Sequence, residues 1–126
     1  IGMEPNEIAL VVSAIGNHDE STAAAVNPIA AALILADKTD VRRSRVRNPN
    51  PASFDIHDRV NYAVESSKTY FTEDHAAFVL ELSIDTTICP VMDYFEIFLG
   101  RMSLCRRAAS FLKIRFELII NGQQIL

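Results

Sequence analysis

The proline-rich stretch "NPNPASFD", residues 48–55, constrains the fold most, because the hydrophobic pattern of the chain changes there. Two prolines within three residues remove backbone donors and disfavour a continuing helix. Before this stretch apolar residues recur at helical spacings of three and four, and after it they alternate with polar residues as in strands. The sequence therefore predicts a helical region in residues 1–48 and a separate strand-bearing domain in residues 49–126.

The first region contains two predicted helices. The segment "EIALVVSAI" has helical periodicity and ends at Gly16-Asn17. Asn27 and Pro28 then provide a helix cap and a favourable first position, and we expect the second helix to run to about Arg45. On that helix Leu33, Asp37, Asp40 and Ser44 would share one face.

The second region predicts a β-β-α-β unit. The segments "RVNYAVESSKTYFTE" and "HAAFVLELSID" alternate and should form a hairpin that turns near Glu73-Asp74. Asp85-Thr86-Thr87 is expected to cap a long helix with Pro90 in its first turn, and "IRFELII" is the last strand, before Asn121-Gly122. The predicted fold class is α+β, with a small antiparallel sheet covered by a helix on one face.

Composition limits the classes of partner. Twelve basic and sixteen acidic side chains among 126 residues give a net charge of −4, so nucleic acid is not expected as a partner. The longest apolar run, residues 29–36, is far shorter than a membrane span. Two cysteines without a disulfide framework favour a reducing cytoplasmic location, and a buried structural role is expected for Cys89.

Asp37 is the most informative polar residue, because it follows an apolar helical run in "LILADKTDVRRSRVRN". It either pairs with a basic residue about one turn away or, together with His18, ligates a metal ion. The arginines that follow it have two interpretations as well. They complement the helix dipole and pair with Asp37, Asp40 or Glu20, or they recognise phosphate. These arginines are Arg42, Arg43, Arg45 and Arg47.

The segment "IGNHDESTAAAVNPIAAALILADKTDVRRSRVRN" resembles the second half of an HD-domain metal-dependent phosphohydrolase, in which an "I-x-x-H" element precedes a helix with "ADK". The likeness covers about residues 5–47. It implies a divalent ion such as Mn, Fe or Mg, and a phosphorylated small molecule or nucleotide as substrate. It assigns Asp37 as a metal ligand, and His18 as an accessory histidine that assists catalysis by binding a second metal ion or the substrate phosphate. Lys38, with Arg42 or Arg43, would face the substrate phosphate.

The same resemblance places an early His and a defining His-Asp doublet upstream of residue 5. His18-Asp19 lies too close to the Asp37 helix to be that doublet, and His57-Asp58, which follows Asp37, is expected to open the first strand. We therefore expect this chain to carry half of a metal centre and to be inactive alone, with the other ligands in a longer parent protein.

A non-catalytic role is the alternative. The helix after Pro90 has an apolar surface wider than a three-stranded sheet requires, and open sheet edges favour pairing. The β-β-α-β unit is then a dimerisation or ligand-sensing module, and we expect a homodimer that buries the long helix, a sheet edge, or both.

Overall fold

The computed structural model describes residues 2–19 and 23–126. Their helices precede and flank a single sheet, so the predicted α+β class is confirmed. The helices are α1 (Pro5–Gly16), α2 (Pro28–Lys38), α3 (Ile56–Ala63) and α4 (Val91–Phe111). The strands are β1 (Val64–Phe71), β2 (Ala77–Ile84), β3 (Arg115–Ile120) and β4 (Gln123–Gln124).

Helix α2 begins as predicted but ends earlier. The side chain of Asn27 accepts a hydrogen bond from the amide of Ala30 at 2.8 Å. At the other end the Thr39 hydroxyl donates to the carbonyl of Leu35, and the chain then turns inward to bury Val41 completely. The expectation of a helix to Arg45 was therefore wrong, and residues 43–45 form a single 3-10 turn.

Helix α3 was not predicted, because residues 59–63 read as the start of a strand. Asp55 caps this helix by accepting a hydrogen bond from the amide of Asp58 at 2.7 Å. Such a cap favours a helix more than the partial alternation of the following residues favours a strand. His57 and Asp58 consequently lie in the first turn of α3, so the prediction that they open a strand was wrong.

The sheet has the order β1-β2-β3-β4 and is mixed. Strands β1 and β2 form the predicted antiparallel hairpin around the turn near Glu73-Asp74. Strand β3 is parallel to β2, and the prediction of a purely antiparallel sheet was wrong. The reason is that α4 carries the chain back along the sheet, which is how parallel neighbours are connected. Helix α4 also begins later than expected, because Asp85 caps a local turn through Thr87.

One hydrophobic core contains residues from both sides of the proline-rich stretch. Helix α2 packs against α4, and both contribute to a cluster with α3 and one face of the sheet. Much of the apolar surface of α4 that favoured a dimer is therefore covered within the chain. Large members of this core are Ile34, Val60, Leu80, Leu82, Tyr94, Phe98, Met102 and Leu118.

Candidate functional site

A groove separates α2 from the edge strand β1. Three residues of β1 pair with side chains of β2 on the face of the sheet that is turned towards the core. The pairs are Ser67 with Leu82, Thr69 with Leu80, and Phe71 with Phe78. Polar residues at such positions leave the sheet uncovered beside α2, and a cleft of about 550 Å³ results. Its lining residues are Leu33, Ala36, Asp37, Thr39, Asp40, Arg42, Ser67 and Thr69.

Asp37 lines this groove and pairs with the residue that follows it. The ammonium group of Lys38 donates to Oδ2 of Asp37 at 2.6 Å; the Lys38 side chain is 6 % exposed and that of Asp37 is 37 % exposed. Burial raises the pKa of Asp37, but the hydrogen bond and charge of Lys38 and the charges of His18 and Arg45 outweigh it, so the pKa is lowered. Asp37 is therefore an ionised carboxylate, and its partner is the adjacent residue rather than one a turn away.

His18 follows the C-terminal end of α1 and is half-buried. Its Nδ1 is hydrogen-bonded to the carbonyl oxygen of Ile15. A carbonyl oxygen only accepts, so Nδ1 carries the proton, and in the neutral ring Nε2 is the acceptor. Metal-ligating histidines are commonly oriented in this way. The influence of His18 on the pKa of Asp37 puts the two side chains within electrostatic range of each other.

The basic residues of the predicted site separate into different environments. Arg42 lines the groove and donates from Nε to Asp40 at 2.8 Å. Arg43 instead donates from Nε to the carbonyl of Tyr62 at 2.6 Å, with its guanidinium 4.7 Å from the centre of the Tyr62 ring. Lys38 is buried beneath the Asp37 carboxylate. Of the three predicted phosphate-facing cations, only Arg42 therefore lies in the groove.

A second cleft of about 500 Å³ adjoins the groove. It shares Asp40 and Arg42 with the groove, and Ser44, Arg45 and Arg47 complete its lining. Arg45 also contacts Asp40, donating from Nη1 to its carbonyl at 3.0 Å. Pairing of the arginines with Asp40 agrees with one interpretation of the sequence, whereas Glu20, the other acid considered for them, lies outside the described residues.

Asp37 and His18 are the residues that the resemblance assigns to a metal ion. Among residues 2–19 and 23–126, no group of three or more His, Cys, Asp or Glu side chains is arranged to hold an ion. Ser67 and Thr69, which line the groove opposite α2, were not predicted from the sequence. Their spacing of two residues within a strand was the available signal, since it places both hydroxyls on the same face.

The other conspicuous side chains have structural environments. Cys89 and Cys105 are free and buried, which confirms the expected burial of Cys89, and burial raises the pKa of the Cys105 thiol to about 12. His57 packs edge-on against the Phe98 ring. No helix in the described part of the chain is long and apolar enough to cross a membrane.

Comparisons with models of known protein families, with curated proteins and with solved structures find no match for this chain.

Proposed function

We propose that this chain contributes to the site of a cytoplasmic HD-type metal-dependent phosphohydrolase that acts on a small phosphoester or nucleotide. One observation carries the proposal: the ionised carboxylate of Asp37 lines an open groove, and His18, whose Nδ1 is hydrogen-bonded to the carbonyl of Ile15, lies within electrostatic range of that carboxylate. Carboxylate oxygen and imidazole nitrogen suit divalent ions of the Mn, Fe and Mg kind. Asp37 and His18 are the proposed ligands.

The two donors fit such an ion in chemical type but do not fill its coordination shell. The described residues offer no third ligand at this place, so the remaining donors have to come from outside them. Alone, the chain is expected to bind a divalent ion weakly and to be inactive.

A bound divalent ion would act as a Lewis acid and activate water for attack on the phosphoester. The residues of this chain have simpler tasks. Lys38 fixes the Asp37 carboxylate through a short charged hydrogen bond and is a positioning residue. The Arg42 guanidinium lies beside the groove, where its positive charge favours the phosphate oxygens.

The first test is titration of the chain with Mn²⁺, followed by electron paramagnetic resonance of the free ion. Weak binding that is lost in Asp37→Asn and in His18→Ala, but retained in Asp58→Asn, supports the site. Equal binding by all four proteins would contradict it. Hydrolysis of 4-nitrophenyl phosphate by a longer natural protein that contains this chain, lost in Asp37→Asn, tests the reaction itself.

A non-catalytic dimerisation module is the second candidate. Helix α1 favours it, because Ile8, Val12 and Ile15 are exposed at spacings of four and three and Ala14 is the one buried residue of that helix. If this candidate is right, divalent ions have no effect on the protein, and self-association depends on α1.

A further inference from the structure

We propose that the second cleft, lined by Arg42, Ser44, Arg45 and Arg47 around Asp40, is a binding site for a diphosphate group. Nothing in the proposed function uses Arg45 or Arg47. The assignment of this site to the substrate rests on that function, because it makes the substrate a phosphoester with a second anionic group. Binding of the anion itself stands independently, on the geometry of the cleft.

The backbone that presents these arginines is held in place from both sides. Val41 is completely buried, and the amide of Arg42 donates to the side chain of Asn61 at 3.3 Å. Arg43 is bonded to Tyr62 and covers its ring. This residue therefore anchors the 3-10 turn on α3, while its neighbours Arg42, Ser44 and Arg45 line the cleft. A preorganised turn loses little conformational freedom when a ligand binds.

Asp40 holds two guanidinium groups together. Its Oδ1 accepts from Nε of Arg42 at 2.8 Å, and its Oδ2 lies 3.5 Å from Nη1 of Arg45. A guanidinium has five N–H donors, so one shared carboxylate leaves donors on both groups for a further acceptor. Phosphate oxygens match this forked geometry.

The charge of the cleft is local and unbalanced. Three arginines against one aspartate give the lining a net charge of +2, although the whole chain has a net charge of −4. Asp40 neutralises one of the three positive charges, and the remaining like charges repel each other unless a further anion binds between them. A negative chain disfavours an extended polyanion such as RNA, and the cationic surface here is one turn rather than a stripe. A compact, doubly charged group fits it better.

The position of the cleft gives the substrate class. Because the cleft shares Arg42 and Asp40 with the groove, a ligand whose diphosphate is held by the arginines can extend into the groove beside Asp37. The cleft volume of about 500 Å³ exceeds the volume of a diphosphate, so it also has space for the part of the ligand that carries the diphosphate. Substrates with a diphosphate group, such as nucleoside diphosphates, meet this requirement.

The test is isothermal titration of the full chain with inorganic pyrophosphate and with inorganic phosphate, in the presence of EDTA. We expect pyrophosphate to bind at least tenfold more tightly than phosphate. Arg45→Gln and Arg47→Gln should each weaken pyrophosphate binding by about tenfold, the usual effect of losing a hydrogen bond to a charged group. Arg106→Gln, an exposed arginine of α4, is the matched control and should change nothing.

Thermal unfolding of each variant checks that the fold is intact. Absence of pyrophosphate binding, an equal loss in Arg106→Gln, or equal affinities for phosphate and pyrophosphate would overturn the proposal. Because EDTA removes divalent ions, this result is separate from the phosphohydrolase test. Anion binding without any hydrolysis by a longer protein would retain this site and reject the proposed function.

Discussion

At the scale of single residues, Asp37 has two tasks that one substitution would disturb together. It lines the groove, and it is the acceptor for the ammonium group of the almost fully buried Lys38. A buried ammonium without its partner is costly, whereas replacement of the whole pair by apolar groups is often tolerated. Loss of activity in an Asp37 variant is therefore informative only beside a measurement of its stability.

We predict that Asp37→Ala lowers the free energy of unfolding by about 2 kcal/mol, less than the 3–5 kcal/mol of a fully buried pair because Asp37 is partly exposed. Lys38→Met keeps the volume of the side chain and removes the buried charge, so it should cost less than Asp37→Ala. Urea denaturation of both variants measures the difference. A larger loss of stability in Lys38→Met than in Asp37→Ala would contradict this. It would mean that the attraction within the ion pair contributes more than the cost of a buried ammonium without a partner.

The lowered pKa of Asp37 also predicts how stability depends on pH. The folded state favours the ionised form of Asp37 more than the unfolded chain does. This contribution to stability is fully present above the ordinary pKa of 3.8. It is lost as the pH falls below that value, through the lower pKa of the folded state. Asp37→Asn should therefore reduce the dependence of stability on pH in this acidic range. Unfolding curves at several pH values below 5 measure the effect, and identical slopes for both proteins would contradict it.

At the scale of elements, the sequence predicted features that have a local signal better than boundaries that depend on distant contacts. Asn27-Pro28 and Asn121-Gly122 are local signals, and both features lie where expected. The end of α2 depends on burial of Val41 in a core formed with distant residues, so no local pattern reveals it. Helix α3 had a usable signal in its Asp55 cap, but the alternation of the following residues concealed it.

The candidate site followed the same division. Asp37 and Arg42 were singled out because they lie in one short stretch of sequence, and both line the groove, whereas the role of His18 came from the resemblance. The direction of each arginine side chain was not predictable, because the helix was expected to continue through these residues. A 3-10 turn is present instead, and it directs Arg43 away from Arg42 and Arg45. Ser67 and Thr69 reach the groove only through the strand register of the sheet, which the sequence does not fix beyond their shared face.

Asn121 connects two strand ends and gives a test at this scale. Its side chain accepts from the amide of Ile84 at 2.7 Å and donates to the Ile84 carbonyl at 3.1 Å, while its φ is +50°. We predict that Asn121→Gly costs about 1–2 kcal/mol of stability through the two lost bonds. Asn121→Ala should cost about 1 kcal/mol more, since alanine also disfavours positive φ. Chemical denaturation compares them; equal stabilities would exclude a contribution from the backbone angle.

At the scale of the whole molecule, the described residues divide into a well-packed unit and an exposed helix. Helix α1 packs mainly against α2, whereas α2, α3, α4 and the sheet share one core. After Glu7 this helix has no charged residue. Its outward apolar side chains are consequently the largest concentration of exposed hydrophobic surface on a single described element.

We predict that the chain self-associates through α1, because contiguous exposed apolar patches of this kind are uncommon on monomers. Val12 is 62 % exposed and lies between Ile8 and Ile15 on the same face. Val12→Glu introduces a charge there and should give a monomer without loss of the fold. Met92→Glu changes a side chain of α4 that is 74 % exposed and should leave the assembly unchanged. Light scattering coupled to size-exclusion chromatography measures both. A wild-type chain that remains a monomer at the highest concentration measured would exclude α1 as a self-association surface. Dissociation by Met92→Glu alone would instead locate the interface on α4, where the width of the apolar surface first suggested it.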